Sequence, residues 1–472
     1  MPLLYIAIGI VLMLVLLLYF KLDAFFALLI TAFVVGLLNG MNIMEVLDSV
    51  LNGIGGTMGK IILILAFGAM LGKLIEESGA AHTITYRLTA LVGIKNIQYA
   101  ILITGFLVGL PMMYNASFLV LIPLIYTFAT TTKLPLMYLG IPLSATLSIA
   151  HGYLPPHPAP TYISFIYDAN INIVLLYGLV PVIPACLIAG IFLSKFFKKL
   201  KVAPPEELYE VKEFDKEALP SLRTSVFAAI TPVFLMLIGA VIDMAIGAPP
   251  AKSDLATMGM NLTAFYHQSL LDAGYSSGVV GFWSAIITLF KFLSDANVAL
   301  FMAVVVGIYT LGLKRGKKMP EIMKTLGKSV GAIAMIIMII AAGGAFSQVL
   351  KDSKVNEYIG EIAVGFSFNP LILAFAVSAG IRLAVGSATV AAMTAAPIMV
   401  PISIQSGISP ELMVLATGSG SLMFSHFNDI GFWMFKEYYN VSIKQTFAIW
   451  TVMECLVALV GLAAALIINV FI

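Results

Sequence analysis

The chain has 472 residues, of which 60% are hydrophobic and only 11% charged, and its formal net charge is +2. A soluble domain carries about 25% charged residues, so lipid must be the solvent for most of this chain. The near-neutral charge gives no reason to expect a nucleic-acid partner. Cys186 and Cys455 both lie in apolar runs without a metal-ligand spacing, so free buried thiols are expected.

Apolar runs follow one another along the chain, and about 20 apolar residues are enough to cross a bilayer as a helix. The predicted segments are 3–20, 24–38, 58–76, 97–131, 135–166, 172–196, 223–246, 296–313, 328–350, 369–404, 410–436 and 446–471. The first run has no basic start and no cleavage site, so it is predicted to be a retained helix rather than a signal peptide. The sequence therefore predicts an all-α polytopic membrane protein.

Two of these runs, 97–131 and 369–404, are too long for one straight helix. Their helix breakers are Gly105, Gly109, Pro111 and Pro123 in the first run, and Gly380, Gly386, Pro397 and Pro401 in the second. Breakers persist at membrane depth only where protein or a cavity satisfies the freed backbone groups. We therefore expect each run to form a re-entrant hairpin, and we expect 135–166 and 410–436 to be broken helices.

Lysine and arginine set the predicted orientation, because basic loops stay in the cytoplasm. The basic stretches 195–223 and 314–318 are placed there, whereas 247–293 is poor in basic residues and is predicted to be an external insertion. Within the insertion, 278–293 is expected to lie at the membrane surface, since a crossing there would move 314–318 outside. With both long runs folded as hairpins, every basic loop falls inside.

The two halves of the chain match at a constant spacing of 275 positions. The matching pairs are Pro135 and Pro410, Ser144 and Ser419, Leu147 and Leu422, His151 and His426, Gly68 and Gly343, and Ser78 and Ser353. The helix that ends near Glu76 is predicted to run inward and its partner 328–350 outward, so the repeats should be inverted. The predicted units are a first repeat at 1–200, a cytoplasmic linker at 201–222 and a second repeat at 223–472. Inverted repeats with broken helices are typical of secondary transporters, which bind substrate at the breaks.

Each half has a polar cluster at its predicted break. His151 and His157 stand among three prolines in the first half, and His426, Asn428 and Asp429 lie close together in the second. Ionisable groups at membrane depth are costly and typical of substrate or ion pathways, although internal hydrogen bonds could also satisfy them. We favour substrate binding for the histidines and Asn428, and proton coupling for Asp429, His151 and His426.

The hairpin tips supply the other candidate substrate ligands. These are Asn115 and Ser117 at the first tip, and Arg382, Ser387 and Thr389 at the second. A guanidinium group presents a fork that fits a carboxylate, so Arg382 is expected either to bind a substrate carboxylate or to pair with Asp429. The neutral side chains are expected to bind hydroxyl groups, although small residues are equally common where membrane helices pack.

The motifs of common enzymes are missing from the sequence. It has no nucleophile elbow, no P-loop and no zinc-protease motif. Without a P-loop, the energy for transport should come from an ion gradient. His151 and His157 have no cysteine or carboxylate close in sequence, so neither a metal nor another cofactor is expected.

Four motifs carry a family resemblance in the same order along the chain. They are FGAMLGK at 67–73, HGYLPPHP at 151–158, RLAVGSAT at 382–389 and SHFNDIGFW at 425–433. This pattern, which covers essentially the whole chain, resembles the gluconate:proton symporter (GntP) family of the ion transporter superfamily. The resemblance implies uptake of gluconate or a related small hydroxy acid with a proton. Members of that family typically have an acid at the first hairpin tip, where this chain has Asn115, so the coupling group is not assigned by the resemblance.

The predicted function is import of gluconate or a related small hydroxy-carboxylate in symport with protons, by an elevator-like movement of the hairpins and broken helices. Another organic acid or D-serine as substrate, sodium as the coupling ion, and a small-anion channel are the alternatives. The predicted location is the inner (plasma) membrane. The sequence leaves the oligomeric state open, and superfamily analogy suggests a homodimer.

Overall fold

A computed structural model of the chain describes residues 2–205, 219–250, 252–354 and 368–472. These residues form α-helices joined by short connections, and no β-strand occurs among them. Most of the predicted cytoplasmic linker, 206–218, lies outside the described residues.

The helices are numbered here in chain order. Those of the first half are α1 (Pro2–Leu18), α2 (Ala24–Leu38), α3 (Ile43–Glu77), α4 (Ala80–Val92), α5 (Ile97–Gly109), α6 (Tyr114–Thr132), α7 (Leu136–Tyr153), α8 (Pro158–Ile166), α9 (Ile171–Leu179) and α10 (Val182–Phe196). Those that follow are α11 (Leu222–Ile246), α12 (Lys252–Thr257), α13 (Leu262–Asp272), α14 (Ser277–Ser294), α15 (Ala296–Arg315), α16 (Met319–Ala332), α17 (Ala334–Asp352), α18 (Pro370–Val385), α19 (Ala388–Ser406), α20 (Pro410–Gly420), α21 (Ile430–Tyr438) and α22 (Ile443–Phe471).

The predicted all-helical membrane class is confirmed by the lengths of these helices. Within the described part of the chain, eight helices are long and apolar enough to cross a membrane, or up to ten if each of two bent pairs forms one span. One bent pair joins α4 and α5 at 112°, and the other joins α9 and α10 at 42°. Such bends are compatible with broken spans or re-entrant segments.

Both long apolar runs are divided into two helices near their predicted breakers. The first gap separates α5 from α6 and contains Pro111, whose ring cannot continue a helix. The second gap separates α18 from α19 and contains Gly386, whose φ of +82° is a conformation that other residues rarely adopt. The breaker pattern therefore located both gaps. That each pair enters and leaves on one side of the membrane stays a prediction.

The two predicted broken helices also divide. The first is interrupted between α7 and α8, where Pro158 occupies the first helical position of α8. The second is interrupted between α20 and α21, where Asp429 caps α21 by accepting a hydrogen bond from the Gly431 N–H at 2.9 Å. The carboxyl ends of α7 and α20 pack together so closely that a Cβ atom on Gly418 would lie 2.6 Å from the Gly152 carbonyl oxygen. Both breaks therefore meet in the interior.

Equivalent helices of the two halves pack side by side. Helix α3 ends at Glu77 and α17 ends at Asp352, 275 positions later. The Ser49 hydroxyl near the start of α3 donates a 2.7 Å hydrogen bond to the Asp352 carboxylate at the end of α17. The two helices are therefore antiparallel, which supports the predicted inversion of the halves; the inversion itself stays a prediction.

The predicted external insertion contains three helices, α12, α13 and α14. Helix α14 packs on α11 and α13 and is long and apolar enough to cross a membrane by itself. That α14 lies at the membrane surface therefore stays a prediction.

Two groups of helices can be distinguished by their packing. Helices α8, α18, α19 and α20 pack on one another, and α22 packs on α20 and α7. Helices α1, α2, α3, α15, α16 and α17 form a second group around α3. The second hairpin, formed by α18 and α19, and the start of α8 line part of the site described next.

Candidate functional site

A cavity of about 870 Å³ lies where the two hairpin tips and the two helix breaks converge. Eight of the ten predicted site residues line it: Asn115, His151, His157, Arg382, Ser387, Thr389, Asn428 and Asp429. Positions separated by more than 300 residues in the sequence thus form one site. The predicted proximity of the tips and breaks agrees with this geometry.

Four helices point their amino-terminal ends at the cavity. The first residues of α6, α8, α19 and α21 all belong to its lining, including Tyr114, Pro158, Ala388 and Ile430. The N–H groups in a first helical turn lack partners within the helix, and the helix dipole gives that end a partial positive charge. Four such ends around one cavity favour an anionic ligand.

Arg382 contributes a full positive charge to the same cavity. Its side chain is 2% exposed, and Nη2 donates a 2.5 Å hydrogen bond to Oδ2 of Asp429. Asp429 is also held by the Ser425 hydroxyl and by the Gly431 N–H. The other guanidinium nitrogens of Arg382, Nε and Nη1, are buried without a hydrogen-bond partner among the described residues. Since buried donors are normally paired, these two are available for a ligand.

The two histidines of the first break face each other beside this cavity. The ring centroids of His151 and His157 are 5.3 Å apart and nearly perpendicular. The Thr389 hydroxyl of the second hairpin lies 3.5 Å from Nε2 of His151. His151 Nδ1 and His157 Nε2 are buried without a partner in the described part of the chain. These nitrogens can donate or accept hydrogen bonds to a polar ligand.

The second hairpin tip is fixed against the second break. A Cβ atom on Gly386 would lie 2.2 Å from the carbonyl oxygen of Asn428, so only glycine fits there. The Asn428 amide donates to the carbonyl oxygens of Leu383 at 3.1 Å and Ala384 at 3.2 Å. Its own oxygen, Oδ1, is buried and has no partner among the residues described. Ser387 caps α19 through the Val390 N–H.

Two predicted site residues are placed away from the cavity. Ser117 is fully buried and donates a 3.1 Å hydrogen bond to the Met113 carbonyl within the first turns of α6. His426 Nε2 lies 3.0 Å from the Leu383 carbonyl oxygen, so its ring supports the backbone of the second hairpin. Asn115, by contrast, is an exposed residue on the cavity wall.

Further charged residues line the cavity that were not predicted to belong to the site. Lys73 and Glu76 of α3 pair at 2.7 Å, and both line the cavity. Glu454 of α22 lines it as well and is 2% exposed. The sequence does indicate a functional role for Glu454, because it is the sole charged residue in the apolar run 446–471.

Comparison with known proteins assigns the family. Residues 1–471 match the GntP family permeases. The chain belongs to the GntP permease family. The resemblance carried by the four sequence motifs is therefore confirmed.

Curated relatives of this GntP permease match it over its full length. It is 43% identical over 469 residues to the Gnt-II system L-idonate transporter of Escherichia coli (strain K12), covering 99% of each chain. It is 40% identical over 472 residues to a high-affinity gluconate transporter of the same organism, covering 100% of each chain. A gluconate permease of Bacillus licheniformis is 37% identical over 478 residues, again covering 100% of both.

Two solved structures share the fold of this GntP permease. The YdaH transporter of Alcanivorax borkumensis superposes with a TM-score of 0.55 at 15% identity, over 89% of this chain and 88% of that one. MtrF of Neisseria gonorrhoeae superposes with a TM-score of 0.58 at 16% identity, over 88% and 83%. At such low identities these similarities concern the fold alone.

The family and the helices together settle the broad class of the molecule. This GntP permease is a multi-pass transporter of the plasma membrane. The expectation that it is not an enzyme is confirmed, since its relatives are permeases and transporters.

Proposed function

We propose that this permease imports gluconate or a closely related hydroxy-carboxylate in symport with protons. The observation that carries the proposal is the buried Arg382, which lines the cavity and whose Nε and Nη1 have no partner among the described residues. Each of these nitrogens lies on an edge of the guanidinium that it shares with Nη2, and such an edge can bind a carboxylate. The relatives with the highest identities above are named for gluconate and L-idonate, and both compounds are hydroxylated monocarboxylates.

The remaining lining residues suit the hydroxylated part of such a substrate. Asn115, Ser387, Thr389 and Asn428 are neutral groups that donate and accept hydrogen bonds, as hydroxyl groups require. The unpaired nitrogens of His151 and His157 could bind further hydroxyls. We propose that the carboxylate meets Arg382 and the helix amino termini, and that the hydroxyls meet these neutral side chains.

The proposed transport cycle is elevator-like. The second hairpin and broken helices (α8, α18, α19 and α20) would move as one body against the group around α3. Their mutual packing supports this division. The cavity lies between the two groups, since α3 lines it through Gly68, Lys73 and Glu76. Asp429, His151 and His426 are the proton carriers predicted from the sequence. The second group of helices is the proposed interface of a homodimer.

Uptake by purified protein in proteoliposomes tests the function. Labelled gluconate should accumulate inside when an inward proton gradient is imposed, and unlabelled L-idonate should compete with it. Accumulation that ignores the proton gradient but follows a sodium gradient would contradict proton symport. Non-saturable flux without accumulation would indicate a channel, and competition by D-serine but not L-idonate would change the substrate class.

A further inference from the structure

Glu454 lies in the substrate cavity but has no part in the carboxylate and hydroxyl contacts described above. Its side chain is 2% exposed and projects from α22 into the cavity lining. The Ser148 side chain of α7 lies near its carboxyl group. One carboxyl oxygen, Oε1, is buried without a hydrogen-bond partner in the described part of the chain. This oxygen is therefore unsatisfied.

The titratable and charged groups near Glu454 come from several helices and from the second break. They are Arg382 of α18, Asp429 before α21, Tyr114 of α6, Tyr153 of α7 and the neighbouring Cys455. Arg382 is the cation of this set, and its nearest carboxylate is that of Asp429. The positive charge near Glu454, that of Arg382, is therefore already paired with the carboxylate of Asp429.

Burying an ionised carboxylate without its own cation is unfavourable, whereas a neutral carboxyl group avoids most of that penalty. Asp429 differs, because Arg382, Ser425 and the Gly431 N–H all donate hydrogen bonds to it. Asp429 and Glu454 thus have opposite environments. Glu454 is placed to take up a proton, and Asp429 is placed to hold Arg382.

We propose that Glu454, in place of the candidates Asp429, His151 and His426, binds and releases the coupling proton. Because Asp429 already pairs with Arg382, a substrate carboxylate bound to Arg382 would add a further negative charge near Glu454. That added charge favours the protonated form of Glu454. Proton and substrate binding therefore strengthen each other, and such coupling is reciprocal by thermodynamic linkage. This inference rests on the proposed proton symport.

The variant Glu454→Gln separates coupling from substrate binding, because glutamine resembles the protonated acid. We expect gluconate counterflow, which needs no net proton movement, to stay within about threefold of wild type, and gradient-driven accumulation to fall at least roughly tenfold. Gluconate-dependent acidification of the vesicle interior, read with a trapped pH dye, should vanish. Glu411→Gln is the matched control, since Glu411 accepts from the Asn170 N–H and Ser409 outside the cavity.

The outcomes distinguish the two proposals. Accumulation by Glu454→Gln at the wild-type level, with proton flux retained, would overturn the role of Glu454 alone. Wild-type uptake that is indifferent to the proton gradient would overturn proton symport itself, and the role of Glu454 with it.

A second measurement needs no variant. Hydrophobic carbodiimides react with protonated carboxyl groups in apolar surroundings. In wild-type protein, Glu454 should be labelled in mass spectrometry, more at about pH 6 than at about pH 8. Absence of this labelling would contradict the proposal even if Glu454→Gln failed to fold.

Discussion

The two halves of the molecule meet at one cavity with different chemistry. The tip and break of the second half supply a guanidinium and a carboxylate, Arg382 and Asp429. The tip and break of the first half supply an amide and two imidazoles, from Asn115, His151 and His157. The tip and break of the second half therefore supply a charged pair, and those of the first half supply neutral hydrogen-bonding groups. A ligand with an anionic end and a hydroxylated end fits this division, and substitutions on the two sides should have different consequences.

The largest effect is expected for Arg382→Lys. Lysine keeps a positive charge but cannot present two parallel donors to a carboxylate while pairing with Asp429. Gluconate affinity should fall by roughly 100-fold, or about 3 kcal/mol, measured by isothermal titration calorimetry. The control is Arg223→Lys, an exposed position at the start of α11. If the affinity of Arg382→Lys for gluconate stayed within a fewfold of wild type, the guanidinium would not be a ligand of the substrate carboxylate.

Next in size is the effect of Gly386→Ala. A side chain at φ +82° is strained and meets the Asn428 backbone, so the second tip should be displaced. Strain of about 2 kcal/mol corresponds to roughly 30-fold weaker gluconate binding. Gly380→Ala in the same hairpin is the control, because a Cβ atom there meets no other atom within 4 Å. Equal effects of the two substitutions would show that the fixed tip is unimportant.

His151 and His426, which match at the spacing of 275 positions, test whether a histidine must line the cavity to affect transport. His151 lines the cavity, whereas His426 lies against the Leu383 carbonyl. His151→Ala should raise the KM for gluconate uptake about tenfold through a lost hydrogen bond of about 1.4 kcal/mol. His426→Ala should change KM less than about threefold. The reverse order would mean that the substrate binds on the second-half side of the break.

The smallest effect is expected at the first hairpin tip. Asn115→Ala removes one exposed hydrogen-bonding group and should weaken binding by about 1 kcal/mol, or roughly fivefold. Ser117→Ala should leave binding unchanged, since that hydroxyl bonds to its own helix backbone. Competition for labelled gluconate uptake measures both. A larger loss for Ser117→Ala would contradict the assignment of the cavity wall.

Local chemistry made the architecture predictable. Prolines and glycines act on their own backbone, so the gaps at Pro111 and Gly386 and the break before Pro158 could be read from the sequence. The pairing of Arg382 with Asp429 was one of two predicted roles for Arg382, and the geometry leaves room for both.

The direction in which each side chain points was harder to predict from the sequence, because the rotation of a helix about its axis depends on its neighbours. Ser117 and His426 have suitable chemistry at suitable positions, yet both point away from the cavity. Glu454 lies in the last apolar run, outside the four motifs. It reaches the cavity only because α22 packs on α20 and α7. Periodicity alone does not encode such contacts.

The most direct test is an experimental structure with gluconate bound. Density for the substrate carboxylate should lie within hydrogen-bond distance, about 3 Å, of Arg382 Nε or Nη1, with the hydroxyls toward His151 and Asn115. Substrate density outside this cavity, or a carboxylate oriented toward the first half and away from Arg382, would contradict the division between the two halves.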